Sequence, residues 1–180
     1  MRRFAILTVA TLCACAGATN QSTTASTARV TGAGGMPTAN VNMVNTTTAS
    51  ITRIEAPIDR VWRLMAGAYD SLKIPLTTLD QGKHFIGNEG MKIRQKLGNV
   101  FLSNYIDCGQ AQIGPSADSY DVYLNVTTLL RAVSPTETEV STTVDAAARP
   151  LQFSQEYSRC NTKGTIEQSI SKIIAARVAK

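Results

Sequence analysis

The stretch from Tyr120 to Ala148 constrains the fold more than any other. Tyr120, Val122, Leu124, Val126 and Leu130 share one alternating phase, Ser134-Pro135-Thr136-Glu137 interrupts it, and Thr138, Val140, Thr142, Val144, Ala146 and Ala148 resume it. A period of two sends successive side chains to opposite faces of a strand, so the pattern predicts a long antiparallel hairpin with one apolar face. That face needs a second layer to cover it.

Two amphipathic helices are expected to supply the layer. Ile51 to Glu55 reads as a β-branched strand, and Pro57 suits the first position of a helix, where its missing N–H costs nothing. Ile58, Val61, Trp62, Met65, Ala68, Tyr69 and Leu72 then recur every three or four residues, with Asp59, Arg60, Arg63, Gly67 and Asp70 facing the other way. Pro75 stops any continuation. At the far end, Thr165 to Gln168 matches a capping box, Ile166, Ile170, Ile173, Ile174 and Val178 form a stripe, and Arg177 and Lys180 suit the helix C-terminus. Between the helices, Leu76 to Leu79, His84 to Ile86 and Met91 to Leu97 read as short strands separated by turns at Asp80 to Gly82 and Gly87 to Gly90. Gly98 to Gly109 suits a packed loop or one or two helical turns. The predicted class is α+β: two amphipathic helices packed on a curved antiparallel sheet, within a single domain spanning 49–180.

That order, with Glu55-Ala56-Pro57-Ile58-Asp59-Arg60-Val61-Trp62 running into Tyr69 and a strand closing at Asp80-Gln81-Gly82, resembles the helix-grip repeats of the outer-membrane assembly lipoprotein BamC. The strand leading into Ala-Pro-x-x-x-Val-Trp is also similar to the opening of the lipid-binding START and polyketide-cyclase superfamily. The resemblance covers about Ile51 to Val178 and implies a helix-grip fold; the pair Cys108 and Cys160 belongs to neither pattern.

Upstream of the domain, Met1-Arg2-Arg3 is a short positive region and Phe4 to Leu12 an apolar one, the layout of an export signal. It falls short of the roughly 20 apolar residues needed to span a bilayer. Leu12-Cys13-Ala14-Cys15 resembles the bacterial lipoprotein signal, so residues 1–15 read as a signal peptide ending at a lipidated Cys15. Simple secretion after Ala16-Gly17-Ala18 is the competing reading. Residues 16–48, rich in Thr, Ala, Ser, Asn and Gly and lacking apolar periodicity, read as a disordered tether. As a flexible coil this tether would span roughly 30 Å. The expected location is the cell envelope, as an outer-membrane lipoprotein facing the periplasm, or as a secreted soluble protein on the competing reading.

Outside the cytoplasm disulfides persist, and removal of the leader thiols leaves Cys108 and Cys160 to pair. No Cys-x-x-Cys or Cys/His ligand spacing is present, and with one histidine in the chain neither a metal site nor a cofactor is expected. A reactive thiol at Cys108 is disfavoured by its acidic neighbour Asp107, which raises a thiol pKa.

The formal charge of +5 is weak support for a nucleic-acid partner. Arg2, Arg3 and Arg29 precede the domain, and from Ala49 onward 15 basic residues meet 13 acidic ones with no basic run interleaved with aromatics. One local feature stands out. Lys92, Arg94 and Lys96 alternate with Met91, Ile93 and Leu97, placing three cations on one strand face. That face is either a docking stripe for an anionic partner or an edge guarded by charge against aggregation. Catalytic constellations are absent: the carboxylates are scattered apart from Asp118/Asp121 and Glu137/Glu139, His84 stands alone, and no nucleophile elbow or His-Glu-x-x-His occurs. Trp62 and Tyr69 read as core. The expected role is therefore non-enzymatic: an envelope binding or scaffold module, held at the membrane through Cys15, for a protein complex, polysaccharide or lipid. The alternative is a small apolar-ligand binder with a cavity between helices and sheet, and an enzyme of unknown reaction comes third.

Overall fold

Strict alternation in the second half of the chain becomes the centre of the sheet. The computed structural model describes residues 49–151 and 156–180, with the backbone alone of 23–29 and 40–46. The expected export signal and lipidation site Cys15 lie outside the described residues. The strands are β1 (Thr23–Arg29), β2 (Asn40–Thr46), β3 (Ala49–Ile54), β4 (Thr78–Asp80), β5 (Phe85–Arg94), β6 (Lys96–Leu97), β7 (Val100–Phe101), β8 (Ile106–Asp107), β9 (Gln110–Ala111), β10 (Gly114–Pro115), β11 (Asp121–Ser134), β12 (Glu137–Arg149) and β13 (Ser158–Thr162). The helices are α1 (Ile58–Ser71), the single turn α2 (Ser116–Ser119) and α3 (Thr165–Val178).

The main sheet runs β4-β5-β11-β12-β13-β8, and β3 also pairs with β12 beside β13. Every pairing in it is antiparallel. Among the described residues the strands β1 and β2 pair with each other, inside the stretch whose composition predicts a disordered tether.

One face of the sheet is apolar and covered. Val122, Leu124, Val126, Thr128 and Leu130 of β11 and Val140, Thr142, Val144, Ala146 and Ala148 of β12 are buried there. Across from them, α1 buries Val61, Met65, Ala68 and Tyr69, and α3 buries Ile166, Ile170 and Ile174, all with no exposed surface. Complete burial of a branched or aromatic side chain stabilises by about 1.5–3 kcal/mol, so this layer dominates the fold's stability. The α+β class with two helices packed on a curved antiparallel sheet is thus observed. The helices are also tied end to end: Arg60 donates to the carbonyl of Val178 at 2.8 Å, and Arg177 donates to Ser71 Oγ at 2.9 Å.

Several local expectations need correction. Helix α1 starts one residue after Pro57 and ends in a left-handed Lys73 (φ 59°), with the N–H of Ile74 reaching back to the carbonyl of Tyr69 at 3.0 Å. Gly87 to Gly90 is no turn but the interior of β5. There the register slips against β11 between Leu124 and Val126, and Gly90 (φ 81°) accommodates the bulge. A Cβ on Gly87 would stand 2.5 Å from the carbonyl oxygen of Val126, so glycine is what lets the two strands approach. The capping box at Thr165 does not form. Thr165 is already helical and its hydroxyl donates to the carbonyl of Asn104 at 3.1 Å. Thr162 takes over, its Oγ accepting the Gly164 N–H at 3.1 Å and donating to Glu167 Oε1 at 2.8 Å.

The disulfide joins Cys108 to Cys160 across 52 residues with an S–S distance of 2.03 Å. It fastens the segment after β8 to β13, the strand that leads directly into α3.

Candidate functional site

Among the described residues no helix packs on the other face of the sheet, and its residues are the odd positions of β11 and β12 with their cross-strand partners. Register aligns them in rows. Lys92, Tyr123, Ala147 and Arg159 form one row across four strands; Arg94, Asp121 and Arg149 form the next. With strands about 4.8 Å apart and alternate residues about 7 Å apart, the two rows cover roughly 14 Å by 7 Å.

Asp121 organises the β5 side of this cluster. Arg94 approaches its Oδ1 through Nη2 at 2.8 Å and Nε at 3.1 Å, and Lys92 Nζ lies 3.2 Å from Oδ2. Hydrogen bonding to the Arg94 guanidinium, reinforced by Lys92, holds the Asp121 carboxyl below its ordinary value. Asp121 is only 7 % exposed, while Lys92 and Arg94 remain open to solvent around it.

The β12 side is built from Arg149, Tyr157 and Tyr123. The Arg149 guanidinium lies 4.6 Å over the ring of Tyr157, which meets Tyr123 edge-on at 4.8 Å between centroids. Tyr123 is 39 % exposed. Arg149 and Arg159 have no carboxylate within 4 Å among the described residues, and every Asp and Glu of the chain lies within those residues. The cluster therefore holds four cations against one carboxylate.

Lys96 does not join it. The expected single strand from Met91 to Leu97 breaks at Gln95 (φ 66°), and Lys96 turns into a small hairpin with β7, where its ammonium sits 4.5 Å over the ring of Phe101. Two of the three predicted cations thus stay on the open face. Arg149, Arg159, Tyr123 and Tyr157 are additional. Tyr123 was visible as the out-of-phase aromatic of the β11 alternation. Arg149 precedes and Tyr157 and Arg159 follow a stretch whose sequence has no periodicity, and the β12–β13 pairing brings them together.

Beyond the cationic rows the open face becomes polar. Glu89, Asn125, Thr127, Thr143 and Asp145 line an open cleft of about 310 Å³. Asp118 and Asp121, three positions apart, serve different partners: Asp118 accepts the N–H of Ser103 at 2.8 Å. His84 meets Trp62 edge-on at 5.4 Å, a packing contact. Among the described residues no three His, Cys, Asp or Glu side chains gather as metal ligands, and no helix is long and apolar enough to cross a membrane.

The interior between helices and sheet is lined by fully buried side chains of α1, α3, β11 and β12. Tyr69 spans it, its hydroxyl 2.9 Å from Thr128 Oγ1, and burial pushes its phenol well above the ordinary value. A groove of about 540 Å³ lies outside the core, beside the C-terminal end of α1, lined by Ala66, Asp70, Lys73, Ile74, Pro75 and Leu76. Compared with protein-family models and with curated proteins, the chain matches none.

Proposed function

We propose that this chain is a membrane-tethered, non-enzymatic module of the bacterial cell envelope, anchored through Cys15 and working through the helix-free face of its sheet. The observation that supports this reading is the asymmetry of the domain. One sheet face is sealed by α1 and α3, with the facing side chains fully buried; the other presents Lys92, Arg94, Arg149 and Arg159 around exposed tyrosine. A surface of that charge favours an anionic partner and raises its encounter rate. The 540 Å³ groove and the 310 Å³ cleft both lie open to solvent and give the apolar-ligand reading little support, because binding pockets for small molecules occupy a few hundred Å³ of largely enclosed space. The resemblance to BamC-type helix-grip repeats fits a scaffold role at the outer membrane.

The test is photocrosslinking in intact cells from a reactive residue substituted for Arg94, with the same residue at Arg63 on α1 as control. The proposal expects an adduct with an envelope component, protein or lipid, from position 94 and none from position 63. Equal, diffuse labelling from both positions would remove the open face as the working surface.

A further inference from the structure

We infer that the cationic end of the open sheet face rests on the anionic headgroups of a lipid surface. This deepens the reading of the chain as a membrane-tethered module and rests on it.

Three observations converge. The first is charge. Lys92 and Arg94 share Asp121, whereas Arg149 and Arg159 have no carboxylate partner among the described residues. Each cation near an anionic bilayer favours binding by an amount equivalent to roughly fivefold in partitioning. The second is chemistry. Tyr123 lies exposed between Lys92 and Ala147, with Tyr157 edge-on to it and Arg149 over the Tyr157 ring. An exposed ring with one apolar and one polar end, as Tyr123 has, and arginines with long apolar stems suit the headgroup layer, while the Tyr157 hydroxyl is buried and its ring serves to support Tyr123 and Arg149. The third is direction. β3 begins at Ala49 opposite Thr143 and runs antiparallel to β12 toward Thr138, so the folded domain is entered from the side of Arg149. The point at which the chain enters the domain and the cationic rows thus belong to the same end of the sheet. A tether also raises the effective concentration of membrane at the patch, so a contact too weak to recruit the protein alone is sufficient to orient it.

The test uses the full chain carrying Cys15→Ser, which cannot be lipidated, in sedimentation with phosphatidylglycerol-rich and with pure phosphatidylcholine vesicles. Any contribution of the leader is common to all variants. Preference for the anionic vesicles is expected, weakening with added salt as screening shortens. R159Q should lose roughly fivefold in partitioning and R149Q/R159Q roughly 30-fold. The control R63Q/K172Q removes the same net charge from the helical side and should retain binding. Equal loss in the control, or undiminished binding by R149Q/R159Q, overturns the inference. The tether is tested separately by the mass of the Cys15 peptide from membrane-extracted wild type. Lipid on Cys15 without a vesicle effect would keep the tether and remove the patch; an unmodified Cys15 with the vesicle effect would do the reverse.

Discussion

The hydroxyl of Tyr69, on α1, lies 2.9 Å from Oγ1 of Thr128, on β11, and Thr128 in turn lies 3.0 Å from Oγ1 of Thr142, on β12. A relay of three hydroxyls therefore links a helix to two strands at the bottom of an otherwise apolar layer. All three residues are fully buried; the Tyr69 hydroxyl also reaches the carbonyls of Ile86 and Val126 at 3.3 and 3.4 Å, whereas Thr142 Oγ1 pairs with Thr128. Tyr69→Phe removes one end and leaves Thr128 paired with Thr142; it should cost about 1 kcal/mol. Thr128→Val removes the middle and strands Thr142, costing about 1–3 kcal/mol. In urea unfolding the double variant should lose less than the sum of the two. Additive losses would mean that the relay does not act as a unit.

The disulfide carries a second prediction. Cys108 and Cys160 close a loop across 52 residues, and β13 has few other ties of its own to hold α3 in place. In the chain-entropy model, removing such a crosslink costs about 4 kcal/mol. Replacing both cysteines by serine should lower the unfolding midpoint accordingly. Hydrogen exchange should quicken first in Ser158–Thr162 and the first turn of α3, rather than in the β11–β12 hairpin. Uniform acceleration across the sheet would contradict this role.

Glu167 sets a pH dependence. Its carboxyl is 1 % exposed at the first turn of α3; Oε1 accepts the Thr162 hydroxyl, and Oε2 finds no partner among the described residues. Burial raises its pKa. The unfolded chain ionises near pH 4.3, while the folded protein keeps the proton to a higher pH, so stability falls between those two values as pH rises. Glu167→Gln keeps the acceptor for Thr162 and cannot ionise. The wild type should therefore lose ground to the variant as pH climbs from about 4 toward neutrality. Urea midpoints of the pair across that range are the measurement, and a constant difference would exclude the assignment.

Much of the fold was legible because its strongest elements obey a single period. The stripe of α1, the alternation of β11 and β12 and the two domain cysteines each specify one arrangement. What escaped was set by partners distant in sequence. Ser158–Thr162 has no apolar alternation; it becomes a strand because β12 offers it an edge beside β3 and Cys160 is bound to Cys108. Gly87 to Gly90 has turn composition, yet close contact with β11 keeps it in a strand. Lys96 belongs to an alternating run that Gln95 breaks by adopting a left-handed backbone. The candidate surface was half visible for the same reasons: Lys92 and Arg94 lie in one periodic stretch, while Arg149 and Arg159 become neighbours only through β13.

The central claim is that the open face, and not the helical one, is covered in the cell. Amine labelling of Lys92 against Lys172 tests it most directly, because Lys92 stands on the open face and Lys172 is exposed on α3. Labelling in intact envelopes, compared with labelling of the extracted and purified protein, should show Lys92 protected several-fold and Lys172 unchanged. Equal reactivity of Lys92 in both preparations would contradict the account.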